Sequence, residues 1–212
     1  MIILNEDLKK RILTISYEKK LSHLGSVLTA VDIIKEIYDI KKPDEKFVLS
    51  AGHAHLAHAV VMEKYGIIKD AEENIKMHGI HCERAGGCDV STGSLGQGCN
   101  IAIGIALANR DKMLYTLSSD GETEEGSFWE GLRIAKELNL TNLKWYINCN
   151  NYGAYKKINY KWLKECIEAF KFPVQIRKTE FPKWDFIKDL QEFHYKVLNE
   201  EEYNQVMSSL QE

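Results

Sequence analysis

Apolar residues recur at helical spacing from the start of the chain. Leu8, Ile12 and Ile15 follow Asn5, a residue suited to an N-cap, and Val31, Ile34, Ile37 and Tyr38 repeat the pattern after Thr29, so two amphipathic helices open the sequence. Lys46-Phe-Val-Leu-Ser50 is a short apolar run that stops near Gly52, as a strand does, and Ala54 to Tyr65 then reads as a helix. A loop rich in Gly, Cys and His runs from His78 to Gly98. Beyond it Ile101 to Asn109 is apolar nearly all round, which predicts a helix buried on most sides near the middle of the domain. Met113 to Leu117 and Leu143 to Ile147 have the composition of buried parallel strands, joined by a helical stretch from Glu124 to Leu138. Val174 to Thr179 is a further strand, and the polar, acidic tail from Asn199 fits a surface helix. Strands alternating with helices predict a three-layer α/β/α fold around a mainly parallel sheet. Without repeats, low-complexity tracts or a long linker, residues 1–212 read as one domain.

Charge and cysteine content narrow the function. Lys and Arg number 28 against 31 Asp and Glu, a net charge of −3, so the chain lacks the basic footprint that draws nucleic acid. The five cysteines, Cys82, Cys88, Cys99, Cys149 and Cys166, are odd in number and show neither CxxC pairs nor a disulfide framework, and they read as free thiols in a reducing cytoplasm. Cys82 and Cys99 have no second thiol at the usual ligand spacing, which argues against a soft-metal site or a thiol nucleophile. Met1 to Lys10 holds an apolar run of only four residues before Asn5, Glu6 and Asp7, too short for a signal peptide or a membrane span.

The chemistry concentrates after two predicted strands. Ser119-Asp120-Gly121-Glu122 leaves one strand, and Asn148-Cys149-Asn150-Asn151-Tyr152-Gly153 leaves the next. Taken alone, Asp-Gly after a strand is an ordinary turn. Both segments, however, lie at carboxyl ends of neighbouring parallel strands, where open α/β sheets bind ligands. There Asp120 and Asn150 would converge on one ion. A carboxylate, a side-chain amide and a loop carbonyl suit Mg²⁺ or Ca²⁺, with phosphate oxygens and water completing the shell. The helix expected near Glu124 would direct free N–H groups at an anion. Trp129 and Trp145 read as core or interface residues.

On these residues the sequence resembles the N-terminal, diphosphate-binding half of transketolase, over most of its length. In that family a Gly-Asp-Gly motif followed downstream by an asparagine carries the metal of thiamine diphosphate. Here it reads Ser119-Asp120-Gly121 and Asn150. The resemblance makes Asp120, Asn150 and the Tyr152 carbonyl the metal ligands. Glu122-Thr-Glu-Glu-Gly-Ser-Phe-Trp-Glu130 resembles the family's acidic continuation, with Glu122 near the cofactor and Glu125 matching a glutamate at the subunit contact. Ser91-Thr-Gly-Ser-Leu-Gly-Gln-Gly98 resembles its glycine loop, so Gly93, Ser94, Leu95 and Gly121 would border the cofactor. Ser22-His23-Leu-Gly25, Ser50-Ala-Gly-His53-Ala and His81-Cys-Glu-Arg84 match family histidine motifs. His194, in Phe193-His194-Tyr195 before Asn199 to Tyr203, resembles a segment near the end of split transketolases. The resemblance implies that His23, His53, His81 and His194 serve the reaction, with His53 and His194 also touching the cofactor. His55, His58 and His78 fall outside these motifs and read as structural.

The same resemblance implies transfer of a two-carbon ketol unit between sugars or sugar phosphates. It further implies a separately encoded pyrimidine-domain subunit, which supplies the glutamate that activates the cofactor, in an α₂β₂ assembly. Three departures stand out. Ser119 replaces the first glycine, Asn148 replaces an aspartate two positions before Asn150, and the chain between Gly153 and Pro173 is short, as though a helix and a strand were missing there. These departures keep two alternatives in view: another thiamine diphosphate-dependent synthase or decarboxylase subunit, and a binding subunit that kept the fold without catalysis.

Overall fold

In the computed structural model, which describes residues 5–153 and 156–210, helices and strands alternate along the chain. In order these are α1 (Glu6–Glu18), α2 (Leu24–Ile40), β1 (Lys46–Leu49), α3 (His55–Lys64), α4 (Ala71–His78), α5 (Gly98–Ala108), β2 (Leu114–Ser119), α6 (Gly126–Glu137) and β3 (Leu143–Cys149). There follow β4 (Tyr152–Gly153), β5 (Lys156–Lys157), α7 (Tyr160–Ala169), β6 (Val174–Lys178), α8 (Leu190–Tyr195) and α9 (Glu200–Ser209). The main sheet has the order β1-β2-β3-β6 and all its pairs are parallel. Every residue of β2 is buried, as a central parallel strand covered on both faces must be.

The pleat sorts side chains into two cores. Phe47, Leu49, Tyr115, Leu117 and Tyr146 point to the face covered by α1, α2 and α3. Val48, Leu114, Trp145, Ile147 and Cys149 point to the face covered by α5, α6 and α7. The result is the expected three-layer α/β/α architecture. Trp145 is fully buried with its indole N–H donated to Ser118 Oγ at 3.1 Å, and Trp129 donates to the Thr123 carbonyl at 2.8 Å, so both tryptophans serve packing. The tail helix α9 is closed by a capping box between Asn199 and Glu202 and stacks Tyr203 on Tyr17 of α1 at 4.3 Å between ring centroids.

Several expectations are corrected. The second helix begins at Leu24, before Thr29, whose hydroxyl bonds back to the Gly25 carbonyl at 2.7 Å. The helix expected from Glu124 begins at Gly126, because residues 120–124 form a 3₁₀ turn first. Helix α5 is not buried on most sides: Ala102, Ile103 and Ala106 face the sheet, while Gly104 and Ala108 are exposed and Leu107 is 43% exposed. The short segment between Gly153 and Pro173 carries the β4/β5 hairpin and α7, the crossover that sets β6 beside β3; Ala154 and Tyr155 lie outside the described residues. Helices α4, α7 and α8 were not expected. Each is announced by an Asp or Asn N-cap, namely Asp70, Asn159 and Asp189, whose side chain accepts the backbone N–H three residues on. Among the described residues no helix is long and apolar enough to cross a membrane.

Two glycines of α5 have opposite surroundings. A Cβ at Gly98 would lie 2.6 Å from Ser50 Cα, a backbone atom, whereas one at Gly104 would meet nothing within 4 Å. Gly98→Ala should therefore destabilise the isolated chain by about 1–3 kcal/mol. Gly104→Ala should stabilise it by roughly 0.5–1 kcal/mol, because the helix backbone loses entropy in the unfolded chain. Urea unfolding midpoints check the pair, and shifts of the same sign would refute this packing of α5.

Candidate active site

The carboxyl ends of β1, β2 and β3 open onto a cleft of ≈ 220 Å³ lined by His23, Ser26, His53, His81, Gly93, Leu95, Ser119, Asp120, Gly121, Asn150, Tyr152, His194 and Tyr195. The register puts Ser119 beside Asn148, so the loops leaving β2 and β3 start side by side. Asp120 is completely buried there. Its Oδ2 accepts the Asn151 N–H at 2.7 Å, while Oδ1 has no partner in the protein. Asn151 holds its amide in place from the left-handed region, φ 68°, which asparagine adopts more readily than most residues. Burial raises the Asp120 pKa to about 7 despite that hydrogen bond. A buried carboxylate with one free oxygen is costly without a cation, and the donor set around it is all oxygen. Asp120, Asn150 and the Tyr152 carbonyl therefore fit a hard divalent cation. Asn150 is pre-set for this, as its Oδ1 accepts the Tyr152 N–H at 3.1 Å and its amide donates to Thr29 Oγ1 at 3.3 Å.

Asn148 explains itself in the same network. Its amide donates to Thr29 Oγ1 at 2.9 Å and its carbonyl accepts from Thr179 Oγ1 at 2.6 Å, so it ties α2 to the end of β6. The Thr29 hydroxyl already donates to Gly25, so it needs donors opposite it, which an ionised aspartate at 148 would not provide. Ser119 lines the cleft and forms a capping box with Glu122 at the start of the 3₁₀ turn that follows β2.

Three imidazoles cluster in the same cleft, with the His194 ring 5.8 Å from that of Tyr152. The rings of His23 and His194 are 4.6 Å apart, those of His23 and His53 5.9 Å, and those of His53 and His194 6.1 Å. His23 precedes α2 with φ 67°, an uncommon conformation for a residue with a side chain, and its N–H donates to the His194 carbonyl at 2.7 Å. That bond fastens α8 to the start of α2. Burial lowers all three and neighbouring imidazoles add to it: His23 falls below its ordinary value with His81 beside it, His53 falls to about 3 with His194, His23 and His81 around it, and His194 falls to about 4 with His23 beside it. They are therefore neutral near pH 7, able to accept or donate hydrogen bonds without adding charge. His81 is exposed at the rim and packs over Gly93.

Not every expected residue reaches the cleft. Glu122 does not border it: the side chain is fully buried beneath, where its carboxylate accepts from Ser50 Oγ at 2.5 Å, the Ser119 N–H at 2.9 Å and the Gly96 N–H at 3.1 Å. Ser94 is exposed on a neighbouring surface with Gln97, Asn100, Ile101 and Ser127. Glu125 packs on Gly96 beside that surface. The first turn of α6 is likewise displaced from the cleft, and the helix start that borders it is that of α2, at His23 and Ser26. Ser26 and Tyr195 were missed by sequence reasoning. Ser26 was legible as a first-turn residue once α2 was begun at Leu24, whereas Tyr195 had no signal beyond its neighbour His194.

The profile of the family described as "Transketolase, thiamine diphosphate binding domain" matches residues 20–172. An apulose-4-phosphate transketolase subunit of Phocaeicola vulgatus is 31% identical over 166 residues, covering 69% of this chain and 59% of that protein. The 6-deoxy-6-sulfo-D-fructose transketolase subunit SqwG of a Clostridium species is 31% identical over 178 residues, covering 72% and 65%. Among solved structures, the transketolase of Campylobacter jejuni superposes with a TM-score of 0.67 at 25% identity, over 80% of this chain and 32% of that one. The chain thus spans less than two thirds of each. His194 and Tyr195 lie beyond the residues that the family profile matches.

The depressed histidines predict an acid-sensitive fold. A histidine whose folded pKa lies below its unfolded value stabilises the fold above the unfolded pKa, near 6.5, and that contribution is lost as pH falls toward the folded pKa. For His53 the loss between about pH 7 and about pH 5 is up to about 2 kcal/mol. Urea unfolding at the two pH values should show a smaller acid loss for His53→Gln than for the unaltered chain, and equal losses would refute a buried neutral His53.

Proposed function

The chain belongs to the transketolase family, in its thiamine diphosphate-binding domain, and from that premise we propose that it is the diphosphate-binding subunit of a two-chain transketolase-like enzyme. Its reaction would move a two-carbon ketol unit between sugars or sugar phosphates, with Mg²⁺ or Ca²⁺ holding the cofactor. The observation that carries this reading is Asp120 Oδ1, buried and unpartnered beside Asn150 and Tyr152, and facing three neutral histidines. Asp120, Asn150 and the Tyr152 carbonyl would hold the metal and, through it, the diphosphate. Gly93 leaves the space a side chain would take under His81, and Leu95 gives that wall an apolar contact. When bound, thiamine diphosphate supplies the carbon nucleophile that accepts the two-carbon unit. His23, His53 and His194 can orient hydroxyl groups and pass protons at their ring nitrogens, and His81 reaches over the rim.

Under this reading residues 1–212 form one diphosphate-binding domain, and a separately encoded pyrimidine-domain subunit completes the site as an α₂β₂ assembly in the cytoplasm. The open side of α5, with Ile101, Gly104 and Leu107, adjoins the surface of Ser94, Gln97 and Ser127 beside Glu125 and supports a partner seated there. The Phocaeicola and Clostridium relatives are themselves named as subunits. Ser119, which lines the cleft where the family motif has a glycine, favours a second reading in which the chain binds without catalysing.

Calorimetry of the chain mixed with its pyrimidine-domain partner, Mg²⁺ and thiamine diphosphate should show saturable binding. Asp120→Ala should abolish it, a loss of at least about 100-fold in affinity, since a buried charged ligand costs several kcal/mol to remove. Binding equal in both would sink the metal assignment. Binding by the unaltered assembly without turnover of any ketose would favour the second reading.

A further inference from the structure

We propose that His55, His58, Cys82 and Cys88 form a zinc site that staples the long loop between α4 and α5 to helix α3. The four side chains are buried, and their ligand atoms all lie within 4.8 Å of one another. Cys82 Sγ is 3.5 Å from His55 Nδ1 and 3.9 Å from His58 Nδ1, and Cys88 Sγ is 3.6 Å from each. A tetrahedral zinc with Zn–S near 2.3 Å and Zn–N near 2.0–2.1 Å requires S···N edges of about 3.6 Å. Hydrogen bonding among the four groups does not account for the arrangement. With both Nδ1 lone pairs facing the sulfurs, the two thiol protons can satisfy at most two of the four S···N contacts, while all four atoms converge on one point.

The surroundings fix the imidazoles in the form a metal needs. Asn74 donates its amide to the Gly86 carbonyl at 2.8 Å, which turns its Oδ1 toward His55 Nε2 at 3.2 Å, so the ring proton sits on Nε2 and the Nδ1 lone pair faces the sulfurs. His58 Nε2 meets the Tyr38 hydroxyl at 2.7 Å and can be held in the same tautomer. Such outer partners accompany metal-bound histidines as a rule. Two thiolates cancel the charge of a divalent cation, leaving a neutral unit suited to a dry interior, and a tetrahedral S₂N₂ set selects zinc. His55 and His58 are three residues apart on one face of α3, and the thiols come from a loop whose only regular element is the 3₁₀ turn Arg84–Gly86. Usual spacing rules miss this set, since Cys82 and Cys88 are six residues apart and the histidines three.

The site also bears on the cleft. Cys82 follows His81 directly, and its carbonyl accepts the Thr92 N–H at 3.0 Å just before Gly93. A metal here would hold the rim histidine and the start of the glycine loop in position without touching the cofactor.

The test is metal content and cobalt spectroscopy of the full chain, with no cofactor present. Purified without chelator, the chain should carry one zinc by native mass spectrometry. Replacement by Co²⁺ should give the intense visible bands of tetrahedral coordination together with thiolate-to-cobalt charge transfer. Cys88→Ser should lose about half of the charge-transfer intensity, and Tyr38→Phe should weaken zinc binding about 10–100-fold. The cobalt spectrum of the unaltered chain needs no variant and stands even where Cys88→Ser fails to fold. A folded chain that takes up no zinc, a weak octahedral cobalt spectrum, or a Cys82–Cys88 disulfide found by peptide mapping would each overturn the proposal. Because thiamine diphosphate is absent throughout, failure here leaves the reading of the cleft untouched.

Discussion

The site is organised by one buried carboxylate that never reaches it. Glu122 accepts hydrogen bonds from the end of β1 through Ser50, from the end of β2 through the Ser119 N–H, and from the glycine loop through the Gly96 N–H. The Ser50 hydroxyl in turn accepts the Cys99 N–H at 2.8 Å, so the first turn of α5 hangs on the same group. Burial raises the Glu122 pKa to about 7, against the pull of these three donors, the Ser50 hydroxyl foremost. Placing a carboxyl group in this position is expensive unless every donor is in place, and that makes the junction all-or-none. Two strand ends, a loop and a helix start are thereby locked to one another before any ligand arrives.

Around this anchor the cleft divides its labour by electrostatics. One wall holds Asp120, which burial keeps reluctant to ionise and which has an oxygen to spare for a cation. The same cleft holds imidazoles that burial keeps uncharged, one of them His194 with its ring 5.8 Å from that of Tyr152, so they add no positive charge beside Asp120. Two residues in the left-handed region, His23 and Asn151, sit where the cleft meets the backbone. Strain of that kind is held in place by the hydrogen bonds His23 N–H to His194 and Asn151 N–H to Asp120. The loop carrying His81 and Gly93 is the least regular part of the cleft, and the Cys and His cluster behind it is the feature best placed to stiffen it.

Much of this was legible in the sequence because parallel strands are read one by one from their apolar runs, and the spacing of Asp120 and Asn150 follows from a single β-α-β unit. The histidine motifs pointed to His23, His53, His81 and His194, which the fold gathers from four separate segments. What escaped had physical reasons. Helix α4 is short and mostly polar, so its cap spoke louder than its periodicity, whereas α7 is short but amphipathic, with Leu163 and Ile167 four residues apart on its buried face. Helix α5 is apolar on a side that stays open, and composition alone does not separate a buried face from one awaiting a partner. Glu122 lies two residues beyond Asp120 in a 3₁₀ segment, two thirds of a turn on, which sends its side chain beneath the cleft. The thiols and imidazoles meet across the α3 and loop contact, a juxtaposition that no local spacing encodes.

Under the proposed function Asp120, whose pKa burial raises to about 7, gives up its proton when a divalent cation and the diphosphate arrive. Infrared difference spectroscopy of the chain with its partner, carrying ¹³C-labelled aspartate, tests this at about pH 6, below the raised pKa. Adding Mg²⁺ and thiamine diphosphate should remove one carboxylic-acid stretch and add one carboxylate stretch, and Asp120→Asn should erase both. An aspartate spectrum that stays unchanged while the cofactor binds would contradict the account.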